Sequence, residues 1–474
     1  MSLMLPAISA PRPSAPPAPP VRRPSRALPW LLLTGWLAQV AVRLWLSRTR
    51  TGPAANPDES SYLAVARWLA GGAGGDLSGH TFYQPGYPLL LAPVSGLDLA
   101  PATVYALVMA VNALVGALAF PLGYAALRRL RVGTREALPL AWAAALLPAV
   151  TFFGAFALAD AVLPVVVLGW LLLLDRFARS GGPYAAAGAS LVAVYAYAVH
   201  SRGLVLMCVH GAALAFIAFR REERREWAVL GLAAAAIGYA GAAALNDSAR
   251  AAFYPAGARD LAGLLTGRLT SVDGWLWALS GAAGQIWYLV VATWGLGGVG
   301  LAAVAGALVR RRTDAGLRVT AGALLAGTFG IAYASSAALP DEHRVGNFAY
   351  GRYLACVALV YTLAGLAVLA RGGLRRTLRQ VAGAAAVTAV CGLWVALYAG
   401  ERLRTHQYIR FDFPETEFLA ADRTGLHLLT ASAAALGLLA AFTLLGRLRH
   451  PVLLAVLAVL LLCVNLAALK YTGL

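Results

Sequence analysis

Asp58 and Glu59 stand side by side just past the first long apolar run, in Asn56-Pro57-Asp58-Glu59. A carboxylate held there can take a proton from an attacking hydroxyl. A third acid, Asp160, sits alone in the apolar stretch Phe156-Ala-Leu-Ala-Asp160-Ala-Val-Leu-Pro164. An ionisable side chain in such surroundings is costly unless it is paired or working. Arg202, His343, Arg344 and Arg352 are cations that could hold an anion, and the flat guanidinium fork suits phosphate. Each residue also has a plainer reading. Asn56 as N-cap with Glu59 three residues on is a capping-box pattern, Asp160 could mark a turn, and Arg at the end of an apolar run often only reaches for water.

What must position these residues is a membrane domain. Of 474 residues, 60% are hydrophobic and 13% charged, and mean hydropathy is +0.69. A soluble domain carries about 25% charged residues. Residues 1–27, rich in Pro, Ala and Ser, read as a disordered tail. Residues 28–474 read as one all-α transmembrane domain. Thirteen apolar spans are expected, at about 29–46, 101–127, 137–157, 161–174, 184–200, 203–219, 227–245, 285–309, 319–338, 353–370, 380–399, 426–445 and 451–469. The four cysteines all lie in apolar stretches, which argues against a disulfide framework or a zinc site.

The net charge of +18 comes from 38 Arg and one Lys against 21 acids. In a soluble protein it would suggest a nucleic-acid partner. Sorted along the alternating spans, it becomes an orientation signal instead. The tail and the short links on one side hold 24 Arg and 6 acids, and the other side holds 15 bases and 15 acids. The positive-inside rule then puts the N-terminus in the cytoplasm and the C-terminus outside. The long connections 47–100, 246–284, 339–352 and 400–425 fall on the outer side, where a scaffold would carry its chemistry. Within the first, residues 57–70 space Tyr62, Val65, Ala66 and Leu69 along one helical face, which predicts a short amphipathic helix lying along the membrane surface. The 246–294 stretch holds Trp275, Trp277, Trp287, Tyr288 and Trp294, aromatics fit either to stack on a sugar or to form an interfacial belt. The 400–425 loop is the most polar outer stretch and fits an acceptor site or a solvated lid.

The first outer loop resembles one family. An Asp-Glu pair beyond the first span is followed by Tyr62, an Ala-Arg helix, a Gly stretch and the run His80-Thr-Phe82-Tyr83-Gln84-Pro85-Gly86-Tyr87-Pro88. This pattern resembles the GT-C superfamily of membrane glycosyltransferases. It is closest to the protein O-mannosyltransferases and the lipid A aminoarabinose transferases. Asp160 matches the family's acid between the third and fourth spans, and Tyr350-Gly351-Arg352-Tyr353 resembles its actinobacterial members. The resemblance covers the first 165 residues well and the rest by architecture. Where the family often carries Lys, this chain has Gln84.

The resemblance implies transfer of a sugar, mannose or a pentose, from a polyprenyl-phosphate donor to a hydroxyl of a glycan, lipid or protein. The reaction would be inverting and would take place at the external face of a bacterial plasma membrane. It implies Asp58, with Glu59 and Asp160, as the catalytic acids. Arg202, His343, Arg344 and Arg352 would hold the donor phosphate, and His80, Tyr83, Gln84 and Tyr350 would line the substrate site. A divalent cation, Mg or Mn, would sit on Asp58 and Asp160. No Walker motif, Rossmann fingerprint or H-E-x-x-H is present. The competing expectation is a secondary transporter or flippase. Such proteins place ionisable residues at mid-membrane, often in inverted repeats, whereas these spans are nearly free of acids.

Overall fold

The computed structural model describes residues 27–447 and 450–474. Most of the expected tail therefore lies outside the described residues. Within them the chain is helical, with a single isolated bridge between Arg344 and Gln407 and no strand. Nine helices among the described residues are long and apolar enough to cross a membrane, or up to eleven if two bent pairs each count as one span. Every expected apolar run falls on a helix or a helix pair. The run at 161–174 extends to Leu163–Ser180, and the run at 184–200 is the shorter Pro183–Val199.

Two runs are broken. The expected span 285–309 is not one rod: the helices Val272–Val291 and Leu296–Val309 meet at 113°. Trp294 and Gly295 both take positive φ there, a conformation that glycine allows at no steric cost. Thr293 Oγ1 accepts from Gly297 N at 2.9 Å, and the Trp294 indole donates to Asn465 Oδ1 at 2.7 Å. Beyond the bend, Leu296–Val309 packs on Ala355–Arg371. A Cβ on Gly300 would run into the Tyr361 carbonyl, and one on Gly365 into that of Leu296. Small residues let membrane helices approach this closely.

The second break, 66° between Thr134–Ala144 and Pro148–Ala155, starts a crossing of short 3-10 turns, the second of which, Ala159–Ala161, carries Asp160. Its backbone groups need partners in an apolar setting. Asn112 Nδ2 donates to the carbonyls of Phe156 and Gly154, and Glu59 Oε1 accepts from Ala157 N at 3.0 Å.

The stretch 246–284 departs from the expected loop. The helix Arg225–Phe253 runs through its start, and Leu261–Leu269 and Val272–Val291 fill most of the rest. The helix expected at 57–70 is present as Asp58–Leu69. Its apolar face, Tyr62, Val65 and Ala66, is fully buried against protein rather than laid on lipid. It packs on a second short helix, Gly86–Ser95, whose first residue abuts the Ala198 carbonyl at the end of Pro183–Val199.

Candidate active site

The long connections expected on the outer side converge on a cavity of about 850 Å³ at one end of the bundle. The start of Asp58–Leu69 delivers Asp58, a 3-10 turn of the crossing delivers Asp160, and the first residue of Arg202–Arg220 is Arg202. A single turn, Gly351–Leu354, delivers Arg352. These four side chains form one network. Arg352 Nη1 donates to Asp58 Oδ2 at 2.9 Å, and its Nε donates to Asp160 Oδ2 at 2.8 Å. Arg202 Nη2 donates to the other oxygen of Asp160 at 2.6 Å. Asp58 Oδ1 accepts from the Tyr83 hydroxyl at 2.9 Å. Arg352 also lies over the rings of Phe153 and Phe411.

Burial separates the roles open to the two acids. Asp58 is about one-third exposed, at 32% of its side chain, and lines the cavity. Asp160 is 3% exposed and lies behind the two arginines. Burial pushes the Asp160 carboxyl up, but Arg202 and Arg352 outweigh it and hold the group below the usual carboxylate range. Next to them His200 accepts from the backbone N–H of Arg202, and burial followed by the Arg202 charge pushes its pKa well down. A neutral imidazole there fits the crowd of cations.

Of the expected residues, Asp58, His80, Tyr83, Gln84, Arg202, Arg344, Tyr350 and Arg352 line the cavity. Two do not. Glu59, expected among the catalytic acids, is fully buried and accepts from the backbone N–H groups of Ala54, Ala55 and Ala157 and from the Tyr105 hydroxyl. It ties the first outer loop to the crossing, and it makes no bond to Asn56, so the capping box does not form. His343, expected at the phosphate, is 82% exposed and stacks on His406 outside the cavity. Trp275, Trp277, Trp287, Tyr288 and Trp294 do not line the cavity either.

The cavity also gathers one arginine that sequence reasoning missed, and part of the 400–425 loop, which was expected as an acceptor site or a solvated lid. Arg50 lies over the Phe156 ring, 4.5 Å from its centroid, and its buried Nε has no hydrogen-bond partner. No carboxylate pairs with it among the described residues, unlike Arg259 with Glu342 and Arg410 with Glu417. Arg is the default base of this chain, so nothing in the sequence marked Arg50 out. The 400–425 loop contributes Arg410, Phe411, Asp412 and Glu417. Asp412 is 4% exposed with an unpartnered Oδ2, and burial pushes its carboxyl up to about 6. Glu415, one turn on, accepts from the Tyr288 hydroxyl at 2.6 Å, and burial raises it to about 7.

The arrangement fits an anionic, hydroxyl-rich ligand, with Asp58 at the wall and an unpaired guanidinium nearby. It fits a divalent ion poorly. Arg352 occupies the space between the two acids, and among the described residues no three His, Cys, Asp or Glu side chains converge.

No protein-family model and no curated protein matches this sequence. Among solved structures, the chain is similar to ArnT from Cupriavidus metallidurans, solved bound to undecaprenyl phosphate. The TM-score is 0.52 at 19% identity, covering 94% of this chain and 77% of that one. The chain is thus an all-helical, multi-pass membrane protein that shares its fold with ArnT.

Proposed function

We propose that this protein is a glycosyltransferase that moves a sugar from a polyprenyl-phosphate donor to an acceptor hydroxyl at the external membrane face. The observation that carries this reading is the exposed Asp58 carboxylate on the cavity wall, fixed by Arg352 and Tyr83, with unpaired Arg50 in the same cavity. The likeness to a fold solved with undecaprenyl phosphate supports a lipid-phosphate donor.

In the proposed reaction the acceptor oxygen attacks the anomeric carbon as its proton passes to Asp58. The bond from that carbon to the phosphate oxygen breaks, and the electron pair leaves with the lipid phosphate. Arg50 holds the departing charge, because Arg202 and Arg352 are already engaged by Asp160 and Asp58 and Arg344 by Glu342. Asp160 positions rather than reacts: it is buried and locks both arginines. Tyr83, Gln84, His80 and Tyr350 line the pocket for the sugar and acceptor. One displacement with one base inverts the anomeric centre, and the proton of a mannosyl or pentosyl transfer needs no further group.

Guanidinium groups take the place of a metal in this scheme. Purified protein with a labelled lipid-linked sugar should therefore transfer the label equally with EDTA and with added Mg or Mn. NMR of the product should show the anomeric configuration opposite to that of the donor. Loss of transfer in EDTA that Mg or Mn restores would overturn the metal-free reading. Movement of label across vesicles without transfer would favour the transporter reading.

A further inference from the structure

A second cavity, of about 270 Å³, lies at the opposite end of the bundle. Two helices that begin at the candidate active site run to it. Leu163–Ser180 starts beside Asp160, and Ala355–Arg371 starts beside Arg352. Each is about 25 Å long at 1.5 Å per residue, so the two cavities are separated by a helix length.

The spacing along both helices is the same. Leu168, Leu172, Asp175 and Arg179 form one stripe, and Val360, Ala364, Ala367 and Arg371 form the other, at intervals of four, three and four residues, and all eight line the cavity. Such spacing keeps a single helical face. The result is a slot, apolar along its walls and charged only at its mouth. From Val360 to Arg371 it runs about 16 Å.

The mouth holds an excess of positive charge. Arg129 and Arg179 both bond Asp175, at 2.8 and 2.7 Å. That carboxylate is the only acid lining the slot. Arg371 donates to the Leu130 carbonyl, and no carboxylate pairs with it or with Arg376 among the described residues. Arg310 and Arg371 both act on Arg376 as like charges. Sequence reasoning took these arginines only as orientation signals. That role needs arginines in the links. It does not require them to converge on an apolar slot.

We propose that this slot binds an anionic glycerophospholipid. Its phosphate would sit on Arg371 and Arg376, and an acyl chain would lie between the Leu168 and Val360 stripes. An ionised phosphate matches guanidinium in charge and geometry, and a hydrocarbon chain matches the walls. The site is separate from the transfer chemistry and independent of it.

The test is thermal melting of the detergent-purified full chain with added phosphatidylglycerol, phosphatidylcholine, polyprenyl phosphate or inorganic phosphate. Phosphatidylglycerol should raise the wild-type melting temperature by several degrees, phosphatidylcholine and inorganic phosphate should raise it less, and any shift with polyprenyl phosphate, which the candidate active site would bind, should persist in the slot variants. The shift should vanish in the pair Arg371→Gln/Arg376→Gln and in Ala364→Phe, which fills the slot. A photoactivatable phosphatidylglycerol should label the peptide 360–371 of the wild-type chain, a readout that needs no variant. Equal phosphatidylglycerol shifts in wild type and in the variants, an equal shift with inorganic phosphate, a polyprenyl-phosphate shift that the slot variants abolish, or labelling elsewhere would each overturn the assignment.

Discussion

At the residue scale the account turns on which acids work and which ones build. Asp58 faces the cavity, so Asp58→Asn should lower transfer by about 10²-fold or more, the scale of a lost general base. Its melting temperature should stay near that of wild type. Glu59 is the opposite case. Removing it as Glu59→Ala strands the buried Ala157 N–H and Tyr105 hydroxyl and frees two half-buried N–H groups, and each stranded buried group costs about 1–3 kcal/mol. A fall in melting temperature, with whatever protein folds still active per molecule, is the expected result. Glu59→Ala that is stable yet inactive would return Glu59 to the chemistry. Asp412 bears on pH. Burial raises its carboxyl from 3.8 to about 6, against the pull of Arg344 and Arg352 and with Asp58 and Glu342 adding to the rise. Between about pH 4 and 6 the folded chain therefore holds a proton that the unfolded chain releases, so this group's contribution to stability falls as pH rises through that window. Asp412→Asn should flatten that part of a melting-temperature profile and stabilise the protein at pH 7. Asp58 and Asp160 were legible in the sequence because charges are rare in this chain. Arg50 was not, because its meaning depends on a partner being absent, and absence of a partner is a property of the folded state; Asp412 could be read only as one polar residue of the 400–425 loop.

At the element scale the apolar runs could be read directly, since burying about 20 apolar residues in a bilayer leaves few other structures. The breaks could not. The 113° turn at 292–295 falls inside an apolar run, and hydropathy does not register the change of direction. Its Gly-rich sequence, Gly295-Leu-Gly-Gly298, was the available signal. The helix over 246–253 was hidden for the converse reason. Polar Asn246, Asp247 and Arg250 ended the apolar run, while the backbone carried on in helix. The close pair Leu296–Val309 and Ala355–Arg371 yields a prediction at this scale. Gly365→Val would push a side chain into the Leu296 carbonyl. The second of these helices leads into Arg352, so the variant should lose folded yield, measured by fluorescence-detected size exclusion, and activity should fall with it.

At the scale of the whole molecule, the alternation of loops was legible. Residues assigned to one face, from Asp58 to Asp412, meet in one cavity, and arginines from the short links gather at the other end. Charge bias gave that sorting because it sums over many loops and tolerates an error in any one. The direction across the membrane remains a proposal, with a direct check. In a cysteine-free background, a membrane-impermeant thiol reagent added to intact cells should label His80→Cys and spare Arg376→Cys. The reverse pattern would invert the topology.

The central claim is that this cavity transfers a sugar from a lipid phosphate through Asp58. The most direct measurement is a turnover assay in nanodiscs with a polyprenyl-phosphate sugar carrying separate labels on sugar and lipid. Wild type should release one polyprenyl phosphate for each sugar joined to acceptor, and Asp58→Asn should do neither at a measurable rate while keeping its fold. Equal transfer by a folded Asp58→Asn, or no transfer by wild type from any polyprenyl-phosphate sugar, would contradict the account.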